Sequence, residues 1–211
     1  MIEYFFLFWF SLDKYVKIYD NSKLNHNLIK IFHSILSSIL SYNILSSDIL
    51  SFEYFISNEL IYNFSKSYFL WDLFKIITEN IYTKKLLIHH TSAIYALDIL
   101  NKNMNNDIII RCYYVTEMSN IPLFLSYHMI NTKSKYKNIV NDIQIIFYLY
   151  FRFYKMSNYF YHNFHSMFYL NKNLLLSGII IYLLGLKTIY DLLSKKYIKY
   201  KENKKKIIEC N

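Results

Sequence analysis

Seven stretches of this chain are apolar over close to the length a helix needs to cross a bilayer, with only short polar links between them. About 20 helical residues span roughly 30 Å of hydrocarbon. The stretch LLLSGIIIYLLGLKTIYDLL at 174–193 is the cleanest, and LIKIFHSILSSILSYNILSS at 28–47 is a good second. The serines of the latter are no obstacle, because a hydroxyl can bond back to its own helix or across to a neighbour. The other stretches lie at 2–19, 66–82, 86–101, 108–130 and 141–164. The weakest is 66–82, with Asp72 and Lys75 inside it, and 48–65 reads as an amphipathic connector. The pattern predicts an all-α, polytopic transmembrane helical bundle of about seven spans, or six if the first or third stretch does not cross. The competing expectation is one soluble domain of ordinary size. Composition weighs against it: 54% of the 211 residues are hydrophobic and only 18% charged, below the quarter usual in soluble domains. No internal repeat or second domain is visible. Residues 1–27 would be the first span and its loop, 28–195 one transmembrane domain, and 196–211 a basic tail.

A formal charge of +9 invites a nucleic-acid reading. The lysines gather instead in the short links and in the tail KKYIKYKENKKK, not along one polar helix face. That distribution suits topology and contact with anionic lipid, so membrane lipids are the expected partners and nucleic acid is not; nothing points to a particular protein partner. Basic and less basic links alternate. Lys14, Lys17, Lys23 and Lys30 outnumber Asp13 and Asp20, then Asp48, Glu53 and Glu59 face Lys66, and Lys133, Lys135 and Lys137 have no acid beside them. Seven spans with the amino end outside and the tail cytoplasmic satisfy the positive-inside rule. The sequon Asn63-Phe64-Ser65 then falls on the outer side, close to the membrane. The apolar start IEYFFLFWF has no basic region before it and no small-residue cleavage site after it, so a first span is expected there rather than a cleaved signal. Cys112 and Cys210 supply neither a disulfide framework nor metal spacing. The excess of Asn, Ile, Lys and Tyr reflects AT-rich coding in part, and Trp9, Trp71 and the many tyrosines read as interface belt and core.

Inside these apolar runs stand groups that lipid tolerates poorly. LLIHHTSAIYALDIL carries His89 and His90 side by side, and His33, Asp72, Glu117 and Arg152 each sit in a run of their own. An ionisable residue within a span points to function by default, because its exposure to lipid is costly. With the topology above, His33, His89 and His90 fall at one level toward the cytoplasmic leaflet, and Asp72, Glu117 and Arg152 nearer mid-membrane. One cavity open to the cytoplasm would hold them all. Adjacent helical residues point about 100° apart, so one histidine of the pair would face a substrate and the other orient it or meet a neighbouring helix. A histidine can take a proton from an attacking hydroxyl or amine and return it to a leaving group. A carboxylate beside it fixes the tautomer and stabilises the cation, and an arginine can hold a phosphate or developing oxyanion. His89, His90, His33 and Glu117 are therefore the catalytic candidates, with Asp72 and Arg152 as substrate-binding candidates. The plainer alternative is that Asp72, Glu117, Arg152 and Lys155 neutralise one another between helices, and that the three histidines only pack. His26, His128, His162 and His165 lie at expected span ends or loops, where histidine is unremarkable. No metal is expected, since the histidine pair lacks the spacing of a metal helix. Pro122, the only proline, would kink or interrupt the fifth span just past Glu117. Gly178 and Gly185 would allow close contact in the last span.

These residues, taken in order, resemble the TLC domain family, named for TRAM, LAG1 and CLN8 proteins. KIFHSILSSIL carries His33, SYFLWDLF carries Asp72, and IHHTSAIYAL carries the histidine pair. TEMSNIPLFL carries Glu117, Ser119 and Pro122, and FYLYFRFY carries Arg152. Together they cover roughly residues 28–195. The resemblance implies an all-helical membrane fold of the secretory pathway, in the endoplasmic reticulum or another internal membrane, concerned with lipids. Some relatives are ceramide synthases, which transfer an acyl chain from acyl-CoA to a sphingoid base; others act in lipid composition, trafficking or sensing. The ceramide synthase branch follows its histidine pair with a further histidine and paired aspartates in the next span. Here that region reads RCYYVTEMSNIPLFLSYHMI, without such a pair, and Asp98 and Asp107 are expected in a loop. The chain is more similar to the shorter branch of TLC-domain-containing proteins. Two function classes stand: a lipid acyltransferase with acyl-CoA as co-substrate and no permanently bound cofactor, and a noncatalytic lipid-binding or membrane-composition protein. The lipid substrate and oligomeric state are not legible in the sequence.

Overall fold

A computed structural model describes residues 1–46, 58–79, 84–102, 107–170 and 172–209. These residues are helical throughout, apart from turns, and contain no strand. The helices are α1 (Ile2–Tyr15), α2 (Ser22–Leu45), α3 (Asn58–Thr78), α4 (Lys84–Lys102), α5 (Asp107–Asn131), α6 (Lys137–Phe147), α7 (Met156–Leu170) and α8 (Lys172–Glu209). A π-helical segment, Tyr148–Lys155, joins α6 to α7 without a break, so the described residues form seven rods. The expected all-α class holds. Two helices among the described residues, Ser22–Leu45 and Leu175–Glu202, are long and apolar enough to cross a membrane.

Local chemistry sets several ends. Asn21 caps α2, its side chain accepting from the Lys23 N–H at 2.9 Å. Past the end of α5, Lys133 takes a left-handed φ of 54°, and the Ser134 N–H returns to the Met129 carbonyl at 3.0 Å. Pro122 does not interrupt α5, whose helical run continues through it. Three other expectations shift. Part of the connector expected at 48–65 is helix, because α3 begins at Asn58 and buries Ile61, Phe64 and Ser65; the sequon Asn63 is buried with them, and residues 47–57 lie outside the described part. Asp98 stands within α4 and Asp107 opens α5, rather than both lying in a loop. The basic tail from 196 to 209 continues the last helix.

The helices close a ring. α2 packs on α3, α3 on α4, α4 on α8, α8 on the π segment, the π segment on α5, and α5 along α2. α1 lies outside this ring against α3, with Trp9 fully buried and its indole N–H donating to the Phe64 carbonyl at 3.2 Å. Small polar residues let the ring close tightly. Ser34, Ser37, Ser38 and Ser41 form the inner stripe of α2, and the Ser37 hydroxyl meets that of Ser65 at 3.3 Å. The Tyr113 hydroxyl donates to Ser65 Oγ at 2.5 Å and ties α5 to the same seam. The outer faces have the opposite character. Phe32, Ile35, Ile39 and Tyr42 form the exposed stripe of α2, and Ile139, Ile143, Ile146 and Phe153 that of the α6 rod. On α2 the small polar residues point in and large apolar ones point out, the reverse of a soluble helix, while Trp9, Ile61, Trp71 and Leu100 still build an apolar core.

Candidate functional site

Each of the six ring elements contributes to one central cavity of about 290 Å³. All six residues singled out in the sequence line it: His33 from α2, Asp72 from α3, His89 and His90 from α4, Glu117 from α5 and Arg152 from the π segment. The structure brings the whole constellation together.

Asp72 is the hub and is fully buried. Its Oδ2 accepts from His90 Nε2 at 2.6 Å, and its Oδ1 accepts from His26 Nε2 at 2.5 Å. Lys30 Nζ lies 3.4 Å from the same Oδ1. A buried carboxylate without partners costs several kcal/mol, and here three donors from two helices surround it. A carboxylate accepts only, so both histidines carry their proton on Nε2. That tautomer leaves Nδ1 of His90 as the lone-pair nitrogen whenever the ring is neutral, and this atom is buried without a protein partner. His90 is thus held in orientation by a buried carboxylate.

Glu117 belongs to a separate group. Its Oε2 accepts from Ser34 Oγ at 2.9 Å, and Asn120 Nδ2 donates to Oε1 at 3.5 Å. His33 Nδ1 lies 3.7 Å from Oε2, too far for a hydrogen bond. The His33 ring stacks on Tyr68 with centroids 3.6 Å apart, and its Nε2 meets Ser37 Oγ at 3.1 Å. Packing therefore fixes His33, whereas a charged partner fixes His90. His89 is half-buried, its ring 5.5 Å from that of His90. It also borders a second, smaller cavity of about 60 Å³. That cavity continues between α4, α5 and α8 along Ala93, Leu97, Ile109 and Cys112, and its walls are almost wholly apolar.

Arg152 stands in the π segment, whose wider i→i+5 turn rotates the following residues relative to a straight α-helix. Its Nε–H donates to Ser119 Oγ at 2.6 Å, and Nη2 donates to Asn120 Oδ1 at 3.2 Å. Gly185 of α8 faces its methylenes, and a Cβ there would come within 3.2 Å of Arg152 Cδ. The expected close contact in the last span is real at Gly185, and what it admits is this side chain. Among the described residues no ion pair joins Asp72 or Glu117 to Arg152 or Lys155 within 4.0 Å.

Sequence reasoning missed His26, set aside as a span-end histidine. It is buried inside α2 and bonded to Asp72. Lys30, counted with a link, likewise lines the cavity. The signal was present: His26, Lys30, His33, Ser37 and Ser41 recur at four- and three-residue steps, one face of a helix. His128 is also buried, its Nε2 3.0 Å from the Tyr19 hydroxyl, away from the cavity walls. His162 and His165, expected at span ends or loops, stand exposed within α7. The described residues hold no cluster of three or more His, Cys, Asp or Glu side chains suited to a metal.

No curated protein matches the chain. The family model for the TLC domain, of the TRAM, LAG1 and CLN8 type, matches residues 23–193, which include every residue of the cavity wall, and the chain belongs to that family.

Proposed function

We propose that this TLC domain protein is a polytopic membrane protein that holds a lipid in its central cavity and acylates it from acyl-CoA, with His90 as the base. The membrane reading is supported by the outer faces: large apolar side chains exposed along α2 and the α6 rod suit hydrocarbon, where they cost nothing, and the polar groups buried between helices are mostly paired, as lipid requires. All seven rods would then cross or lie in the bilayer, in the endoplasmic reticulum or another internal membrane, with the basic end of α8 on the cytoplasmic side.

The catalytic reading rests on one observation, the free Nδ1 of a histidine whose Nε2–H is held by Asp72. An acceptor hydroxyl or amine would give its proton to Nδ1 as it attacks the thioester carbonyl. The carbon–sulfur bond breaks, and the thiolate of coenzyme A leaves with the proton from Nδ1. Asp72 stabilises the imidazolium between these steps. The central cavity sets His33, His90, Glu117 and Arg152 among apolar side chains, which suits a lipid with a polar reacting end, whereas the cavity beyond His89 is too small for more than a few methylenes. The second reading, a noncatalytic lipid holder, draws support from Asp72 itself. Its three partners satisfy it as a structural knot would be satisfied.

The test uses the full chain in a neutral detergent, with acyl-CoA and a panel of sphingoid bases, lysophospholipids and glycerolipids. An acylated product is expected, lost in His90→Gln while the unfolding temperature is kept. A panel without product would remove the enzyme reading and leave the holder.

A further inference from the structure

Arg152 is a buried cation that no acid of the described protein meets. It is 3% exposed. Its three acceptors, Ser119 Oγ, Asn120 Oδ1 and the Thr116 carbonyl, are all neutral. Glu117 shares the cavity wall, yet Asn120 stands between them, donating to the acid at 3.5 Å while accepting from the arginine. A buried guanidinium in direct contact with no carboxylate is costly, and Glu117 acts on this one only at longer range, across Asn120. Here it is also held rigidly by three bonds and given its space by Gly185. Nη1 makes no hydrogen bond among the described residues, so the guanidinium can still donate to a further acceptor, such as an anion in the cavity.

The approach to it is basic. A further cavity of about 310 Å³ adjoins the central one, sharing Lys30, Leu86 and Phe124, and it adds Lys23 and His26 with no acid among its walls. Lys30 has its side chain 18% exposed and lies 3.4 Å from an Asp72 that already accepts from two histidines.

We infer that the lipid bound in the central cavity carries a phosphate, which Arg152 receives and the Lys23–Lys30 vestibule admits. The inference rests on the lipid-site reading above and names the chemistry of its ligand. With Nε–H and both Nη2 hydrogens engaged, Nη1 is the donor left for a phosphate oxygen, in a charge-assisted hydrogen bond whose direction the other three fix.

Binding to the full chain in neutral detergent tests it without turnover. The probes are lysophosphatidic acid and monoacylglycerol of one chain length. The phosphate form is expected to bind about tenfold tighter or better, the weight of one hydrogen bond between charged groups. Arg152→Gln should erase that preference. Ser119→Ala, which keeps the charge but frees Nε, should reduce it several-fold and serves if the first variant does not fold. Competition by inorganic phosphate would assign the site to the free anion. Retained preference without such competition would assign it to a headgroup delivered with a chain. Equal binding of the two probes, or a preference untouched by both substitutions, overturns the inference. Because no product is measured, a protein that prefers the phosphate probe yet acylates nothing removes only the enzyme reading. One that acylates neutral acceptors without that preference removes only this one.

Discussion

Replacing Asp72 by Asn keeps the shape of the side chain and removes its charge. The carboxylate accepts from both His26 and His90, at 2.5 and 2.6 Å. The amide has one accepting end and one donating end, so one histidine must move its proton to Nδ1 or lose its bond. Hydrogen bonds between membrane helices are worth about 0.6 kcal/mol on average and up to about 1.7, and those to a charged group roughly twice their neutral equivalents. Two such bonds weakened, with Lys30 losing its nearest acid, sum to about 2–3 kcal/mol of destabilisation. If His90 is the histidine that flips, its base turns toward the amide, and acyl transfer should fall by on the order of 10³–10⁴, the scale of a wrong tautomer. The assay is unfolding in detergent alongside turnover, for Asp72→Asn alone and combined with His26→Gln. Removing His26 lifts the conflict, since the amide oxygen can then serve His90, so the double variant should recover part of the activity. Unchanged stability and turnover in the single variant would refute the hub. A double variant no better than the single would refute competition between the histidines.

Three further outcomes follow from other parts of the ring. Trp9→Ala should cost about 3–5 kcal/mol, the usual range for a fully buried aromatic, and increase protease cleavage around α1, because Trp9 holds that helix to α3; a change below about 1 kcal/mol would contradict that packing. Gly185→Leu should cost about 1–3 kcal/mol through overpacking and shift Arg152, seen as a smaller preference for lysophosphatidic acid over monoacylglycerol. Ser194→Cys, on the basic end of α8, should react with a membrane-impermeant thiol reagent from the cytoplasmic side of sealed microsomes, and labelling only after permeabilisation would invert the orientation.

The sequence by itself determined that the chain is helical, where most rods run, and which ionisable groups stand inside them. Such groups are conspicuous because the contrast between His33, Asp72 or Arg152 and the apolar residues beside each is local. It also carried the TLC pattern, since that pattern is order and spacing along the chain. Only the tertiary structure decided who pairs with whom. Asp72 takes His26 and His90 because α2 and α4 turn those faces toward α3, and helix rotation and neighbour choice are set by packing over distances of 46 and 18 residues. His26 looked like a span end because its burial comes from other helices. The separation of Glu117 from Arg152 by Asn120 was equally invisible, as was the π turn that carries Arg152, because each depends on side chains and backbone registers that meet only when the ring closes.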